Sequence, residues 1–142
     1  MGGSLLFLFT LQSFLCLMKF TTFIPATAWL IISTILLMLP GSDLPKSSFF
    51  NFPYFDKIVH FTMFFLLTIF FSYPFTMNVQ DKRAVKSWFV IIALSIIAYG
   101  ILMEFVQKYF VPGRSFEVAD IIFDGLGTLT AIFIIMCFFK KK

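Results

Sequence analysis

Three short stretches of this chain carry side chains whose types and spacing could do chemistry. Carboxylates, an imidazole and a guanidinium near one another can exchange protons with a substrate or bind its anionic groups. Charged groups in or near hydrocarbon are costly, so they are kept mainly where they are paired or used. The stretches are Asp56-Lys57-x-x-His60, Glu104-x-x-Gln107, and Pro112-Gly113-Arg114 with the following Asp120 and Asp124.

Spacing predicts that each stretch presents its side chains in one direction. Asp56 and His60 are four positions apart, so they share one face of a helix. His60 is the candidate acid or base near neutral pH, oriented by Asp56, and Glu104 is a third catalytic candidate. Arg114 would grip a phosphate or carboxylate through its planar fork. The candidate ligand-binding residues are Lys57, Gln107, Arg114, Asp120 and Asp124.

Neither a metal nor another cofactor is expected from the sequence. Carboxylates with His60 could hold a divalent ion, but no compact ligand motif is present. The nucleophile elbow, the P-loop and the metalloprotease motif are also absent from the sequence. Cys16 and Cys137 lie in apolar runs without a Cys or His at metal-ligand spacing, which favours packed, inert thiols.

Composition places these polar residues in a membrane protein. The 142 residues are 60% hydrophobic and 13% charged, with a mean hydropathy of +0.97. A soluble domain would be about half apolar and about one quarter charged. No basic face of a folded domain is visible, so nucleic acid is not an expected partner.

Four apolar stretches predict an all-α fold, a polytopic bundle of four transmembrane helices. The predicted spans are 20–40, 58–75, 88–103 (extending to 85–106) and 121–139. None shows strict alternation, so helices are favoured over barrel strands. Pro25 suits a first helical turn, whereas Pro40, Pro74 and Pro112 predict helix ends. The glycines expected to allow close helix approach are Gly100, Gly125 and Gly127.

Residues 1–17 are interpreted as a start-site extension or a short apolar N-terminal segment. The apolar run 5–18 is short for a span, and no basic residue precedes it as in a signal peptide. Met18-Lys19 would be a natural start for a membrane protein. The membrane domain is therefore assigned to residues 18–142.

Basic residues predict how the chain crosses the membrane. With both termini in the cytoplasm, one side collects Lys19, the loop Lys82-Arg83-x-x-Lys86 and the tail 140–142. Short cytoplasmic loops are enriched in Lys and Arg. The expected location is therefore the cytoplasmic (inner) membrane, crossed several times, with the three polar stretches on the extracytoplasmic face.

The ordered set of motifs resembles the VanZ-like family of small integral membrane proteins from Met18 onward. Asp124 is a departure, because the family commonly has Asn there. The resemblance implies a cell-envelope membrane protein, in a family named for a member linked to reduced susceptibility to the glycopeptide antibiotic teicoplanin. The shared motifs are Leu39-Pro40-Gly41-Ser42-Asp43, Asp56-Lys57-x-x-His60-Phe61, Glu104-x-x-Gln107, Pro112-Gly113-Arg114 and Asp120-x-x-x-Asp124-x-x-Gly127.

Three functions remain open from the sequence, with membrane lipids as partners in each and the oligomeric state undetermined. In the first, the outward-facing residues bind a lipid-linked or cell-wall component or another anionic headgroup, with a link to teicoplanin susceptibility. In the second, the protein is an enzyme that acts on a lipid phosphate headgroup, with His60 as acid or base. In the third, the polar residues only clamp the helices together, and Asp56 caps the second helix. The expected pairs in that clamp are Glu104 with Lys108, Arg114 with Asp120 or Asp124, and His60 with Asp56 or Asp124.

Overall fold

The computed structural model describes residues 20–40, 54–78 and 82–140, and these residues form α-helices and no strands. A short 3-10 turn, Phe20–Phe23, leads into the first helix. The prediction of an all-α fold is confirmed, whereas the prediction for residues 1–17 lies outside the described residues. The helices are α1 (Ile24–Leu37), α2 (Phe55–Asn78), α3 (Lys82–Phe110) and α4 (Val118–Lys140).

Four helical segments are long and apolar enough to cross a bilayer, as the composition predicted. They are Phe20–Leu37, Phe55–Met77, Ala84–Phe110 and Val118–Phe138. Large apolar side chains such as Leu94 and Phe133 point outward and are exposed, as expected of a surface that contacts lipid. The helices α2 and α3 extend beyond the apolar stretches 58–75 and 88–103, because backbone hydrogen bonds continue through polar residues.

Proline marks three of the four expected positions correctly. Pro25 lies in the first turn of α1, and α1 and α3 end before Pro40 and Pro112. The prediction that α2 stops at Pro74 is wrong, because α2 continues to Asn78. Pro74 is fully buried. Tertiary packing holds the last turn despite the missing N–H, as membrane helices commonly allow.

Two glycines let α4 approach its neighbours closely. A Cβ atom at Gly127 would lie 2.3 Å from the carbonyl oxygen of Phe61 in α2. A Cβ atom at Gly100 in α3 would lie 2.8 Å from Oδ2 of Asp124. Gly125 has open space around it, so the close approach expected there is not found.

Helix α1 packs at the side of the bundle and makes hydrogen bonds to α2 and α3. The indole of Trp29 donates a hydrogen bond of 3.0 Å to the carbonyl of Met63 in α2. The hydroxyls of Thr34 and Tyr99 are 2.8 Å apart, which links α1 to α3. The apolar core between the helices includes Met63, Phe64, Leu67, Phe89, Ile92 and Ile96.

Candidate functional site

The start of α2, the end of α3, the α3–α4 connection and the start of α4 meet at one end of the bundle. Their side chains form what we term the polar cluster. Its members are Asp56, Lys57, His60, Glu104, Arg114, Glu117, Asp120 and Asp124. His60, Glu104, Asp120 and Asp124 are each 3% exposed or less.

His60 lies between two carboxylates of α4. Its Nδ1 is 3.0 Å from Oδ1 of Asp124, and its Nε2 is 3.8 Å from Oδ2 of Asp120. A carboxylate only accepts, so this pairing places a proton on Nδ1 and leaves Nε2 as the open position. Asp124, and not Asp56 as expected, is therefore the acceptor of the hydrogen bond that orients His60.

Lys57 joins α2 to the start of α4. Its Nζ hydrogen-bonds carboxylate oxygens of both Glu117 and Asp120, and lies 3.7 Å from Oδ2 of Asp56. One ammonium is thus shared by three carboxylates. Because the Lys57 side chain is mostly buried, these bonds hold the two helix starts together.

Arg114 follows a turn in which Gly113 adopts a φ of +76°, a conformation that favours glycine. Its Nη1 lies 3.5 Å from Oδ1 of Asp56, so the expected pairing with Asp120 or Asp124 is wrong. The expected role of Asp56 as the cap that precedes α2 is wrong. The helix begins at Phe55, so Asp56 lies inside its first turn. The Nε atom of Arg114 is buried and finds no hydrogen-bond acceptor among the described residues. The guanidinium therefore keeps donors for another group.

Glu104 supports the α3–α4 connection from the end of α3. Its Oε2 accepts a hydrogen bond of 2.9 Å from the backbone N–H of Glu117. Its Oε1 is buried and has no hydrogen-bond partner in the described part of the chain. Lys108, the expected partner, instead places its ammonium 5.4 Å from the ring centre of Tyr109.

Glu117 is the cluster residue that sequence reasoning missed. It lies immediately before α4, and its carboxylate bonds Lys57. Its spacing in the sequence could have indicated it, because Glu117 precedes Asp120 by three positions and Asp124 by seven. Residues with this spacing lie on one side of a helix, so Glu117 extends the face of Asp120 and Asp124 back to the residue before α4.

Gln107 makes its side-chain hydrogen bond to α1 and not to the polar cluster. Its amide donates a hydrogen bond of 2.7 Å to the carbonyl of Leu37, the last residue of α1. Gln107 is almost fully buried in this position. In the described residues its contact therefore positions α1 against α3.

Counted as formal charges, the polar cluster has more negative than positive groups. Five carboxylates face the two cations Lys57 and Arg114, a formal surplus of three negative charges with His60 neutral. Buried like charges repel strongly where water does not screen them. The arrangement can hold a cation among its carboxylates, bind an acidic group at Arg114, and exchange a proton at His60.

Fold and site together define a multi-pass membrane protein with a polar cluster at one end of four helices. The family model described as VanZ/LLP1 matches residues 4–140, so the chain belongs to this family. It is 31% identical over 117 residues to the uncharacterized protein C11E3.10 of Schizosaccharomyces pombe. That alignment covers 80% of this chain and 61% of the yeast protein, so the chain spans about three fifths of this relative. No solved structure matches the chain.

Proposed function

We propose that the protein binds the phosphate-bearing headgroup of a membrane lipid, or of a lipid-linked cell-wall component, at the polar cluster. The proposal rests on the unpaired hydrogen-bond donor of Arg114. Its buried Nε has no acceptor among the described residues, and its one ion pair, to Asp56, is 3.5 Å long. A phosphate oxygen supplies the acceptor that a guanidinium fork binds best.

The position of the cluster supports a headgroup as the ligand. Arg114 lies between α3 and α4, two helices that are able to cross a bilayer. Residues at such helix ends lie at the level of the lipid headgroups. The basic residues near the other ends of the spans favour the extracytoplasmic face of the cytoplasmic membrane for this site. The motifs resemble a family named for a member linked to reduced teicoplanin susceptibility, and this resemblance supports altered glycopeptide susceptibility as the cellular consequence.

A second function, hydrolysis or transfer at a lipid phosphate, is favoured by the geometry of His60. Asp124 holds Nδ1 and leaves Nε2 directed toward Asp120, and an oriented imidazole of this kind can act as acid or base. Arg114 would hold the phosphate during such a reaction. Binding is the first proposal because it needs only the unpaired donor of Arg114.

The headgroup proposal is tested with the purified full chain in detergent, titrated with short-chain phosphatidylglycerol and, in parallel, with short-chain diacylglycerol. We expect the wild type to prefer the phosphate lipid, and Arg114→Ala to weaken its binding by about tenfold to a hundredfold, since hydrogen bonds to charged groups contribute about 1.5–3 kcal/mol. Arg114→Lys should restore only part of the affinity, because an ammonium lacks the planar fork.

Lys108→Ala is the matched control for this titration. It removes another positive charge from the same end of α3, where Lys108 is exposed and lies beside the ring of Tyr109. Lys108→Ala should therefore bind phosphatidylglycerol as the wild type does. An equal loss in Lys108→Ala and Arg114→Ala, or no preference of the wild type over diacylglycerol, would overturn the proposal.

A further inference from the structure

We propose that Asp56, His60 and Asp120 form a binding site for a divalent transition-metal ion. One carboxylate oxygen from each aspartate and one imidazole nitrogen all lie within 4.8 Å of one another. Ligand atoms around a tetrahedral Zn²⁺ are separated by roughly 3.3 Å, given metal–ligand bonds of about 2.0–2.1 Å. The set must therefore contract by about 1.5 Å at most. The Asp56 side chain can make this movement because it is 42% exposed and its contacts, 3.5 Å to Arg114 and 3.7 Å to Lys57, are long.

The imidazole is oriented as a metal ligand requires. Asp124 accepts from Nδ1 of His60 at 3.0 Å, and Nε2 faces Oδ2 of Asp120 at 3.8 Å. Metal-binding histidines commonly donate their other N–H to a carboxylate, which sets the tautomer and the ring orientation. Lys57 bonds Oδ1 of Asp120, so Oδ2 remains for the metal.

Glu104 is an independent sign that a cation belongs here. The residue is 1% exposed, and its Oε1 has no hydrogen-bond partner among the described residues. Its other oxygen, Oε2, accepts from the backbone N–H of Glu117, three residues before Asp120, so the carboxylate lies at the start of α4. A buried acceptor without a donor is costly. A cation, or a water bound to it, would satisfy Oε1 and would also offset the negative surplus of the polar cluster.

The mixed ligand set indicates which ions fit. Imidazole favours Zn²⁺ and similar transition metals, whereas carboxylates also suit Mn²⁺. Mg²⁺ and Ca²⁺ prefer oxygen ligands alone, so His60 disfavours both. Sequence spacing did not predict this site because Asp56 and His60 belong to α2, whereas Asp120 belongs to α4.

The test is calorimetric titration of the metal-stripped full chain in detergent with ZnCl₂ and with MnCl₂, without added phospholipid. We expect saturable binding of one ion per chain. Asp56→Asn should weaken metal binding by at least about tenfold, since even the loss of an outer partner of a ligand costs about 10- to 100-fold. Glu117→Gln is the matched control, because this carboxylate is also half-exposed and bonds Lys57 but is not a proposed ligand. Glu117→Gln should weaken metal binding less than Asp56→Asn does.

Variants of Asp124 test its role as a positioning residue. Asp124→Ala removes the acceptor for Nδ1 of His60 and should lower the metal affinity by about 10- to 100-fold. Asp124→Asn should restore most of the affinity, because an amide oxygen accepts the same hydrogen bond.

Two results would overturn the metal proposal: no saturable binding of either ion by the wild type, or equal losses in Asp56→Asn and Glu117→Gln. Both of these side chains are half-exposed, so neither variant should prevent folding. The titration contains no lipid phosphate, and its failure would leave the headgroup proposal for Arg114 intact.

Discussion

Replacing Gly127 by alanine should separate α2 from α4 and disable the polar cluster. The added Cβ would lie 2.3 Å from the carbonyl oxygen of Phe61, a backbone atom that cannot rotate away. Ordinary contact begins near 3.4 Å, so the helices must move apart by about 1 Å at this point. Overpacking of this kind costs about 1–3 kcal/mol, and sometimes more.

The same movement reaches the site directly. Phe61 follows His60, and Gly127 lies one turn after Asp124, so the shift acts on both partners of the buried hydrogen bond. A separation increased by about 1 Å would take Nδ1 and Oδ1 from 3.0 Å to beyond hydrogen-bond distance. Gly127→Ala should therefore lose stability and metal binding together.

Gly125→Ala is the matched control on the same helix. A Cβ atom at Gly125 meets nothing within 4 Å. Alanine favours a helix over glycine by about 1 kcal/mol, so Gly125→Ala should be as stable as the wild type or more stable. The assay is unfolding of both purified variants in the same detergent, by heat and by denaturant. A Gly127→Ala protein as stable as Gly125→Ala would refute the close approach of α2 and α4.

Two further predictions concern orientation and chemistry. The first uses a chain whose own cysteines are replaced by serine and a membrane-impermeant maleimide added outside the cell. Ser115→Cys should react with this maleimide in intact cells, and Lys86→Cys should react only after lysis. Labelling in the reverse pattern would place the polar cluster on the cytoplasmic side. The second concerns a lipid-phosphate reaction: His60→Gln should abolish release of phosphate or headgroup from a lipid substrate, while lipid binding through Arg114 persists. Wild-type turnover in His60→Gln would show that His60 has no part in the reaction.

The helices and the membrane class follow from the sequence because they depend on local composition. Apolar runs of about 20 residues must satisfy their backbone internally and exclude charge, so the four spans can be read along the chain. Pro74 shows the limit of this reasoning, because its burial among neighbouring helices outweighs its local tendency to end α2. Gly125 and Gly127 show the same limit of sequence reasoning, since only the path of α2 decides which of the two glycines is crowded.

The candidate residues were also visible in the sequence, because charged side chains in an apolar chain are few and costly. Their pairing was left open, with His60 expected to pair with Asp56 or Asp124, since pairing depends on how the helices are rotated and how far each is displaced along its axis. The tertiary structure paired His60 with Asp124, joined Lys57 to Asp120, and brought Glu117 into the cluster. The sequence by itself thus determined a four-helix membrane protein with costly polar residues at one end. Only the packing of α2, α3 and α4 against one another decided which of them touch, because side-chain contacts between helices are set by distances that no local pattern encodes.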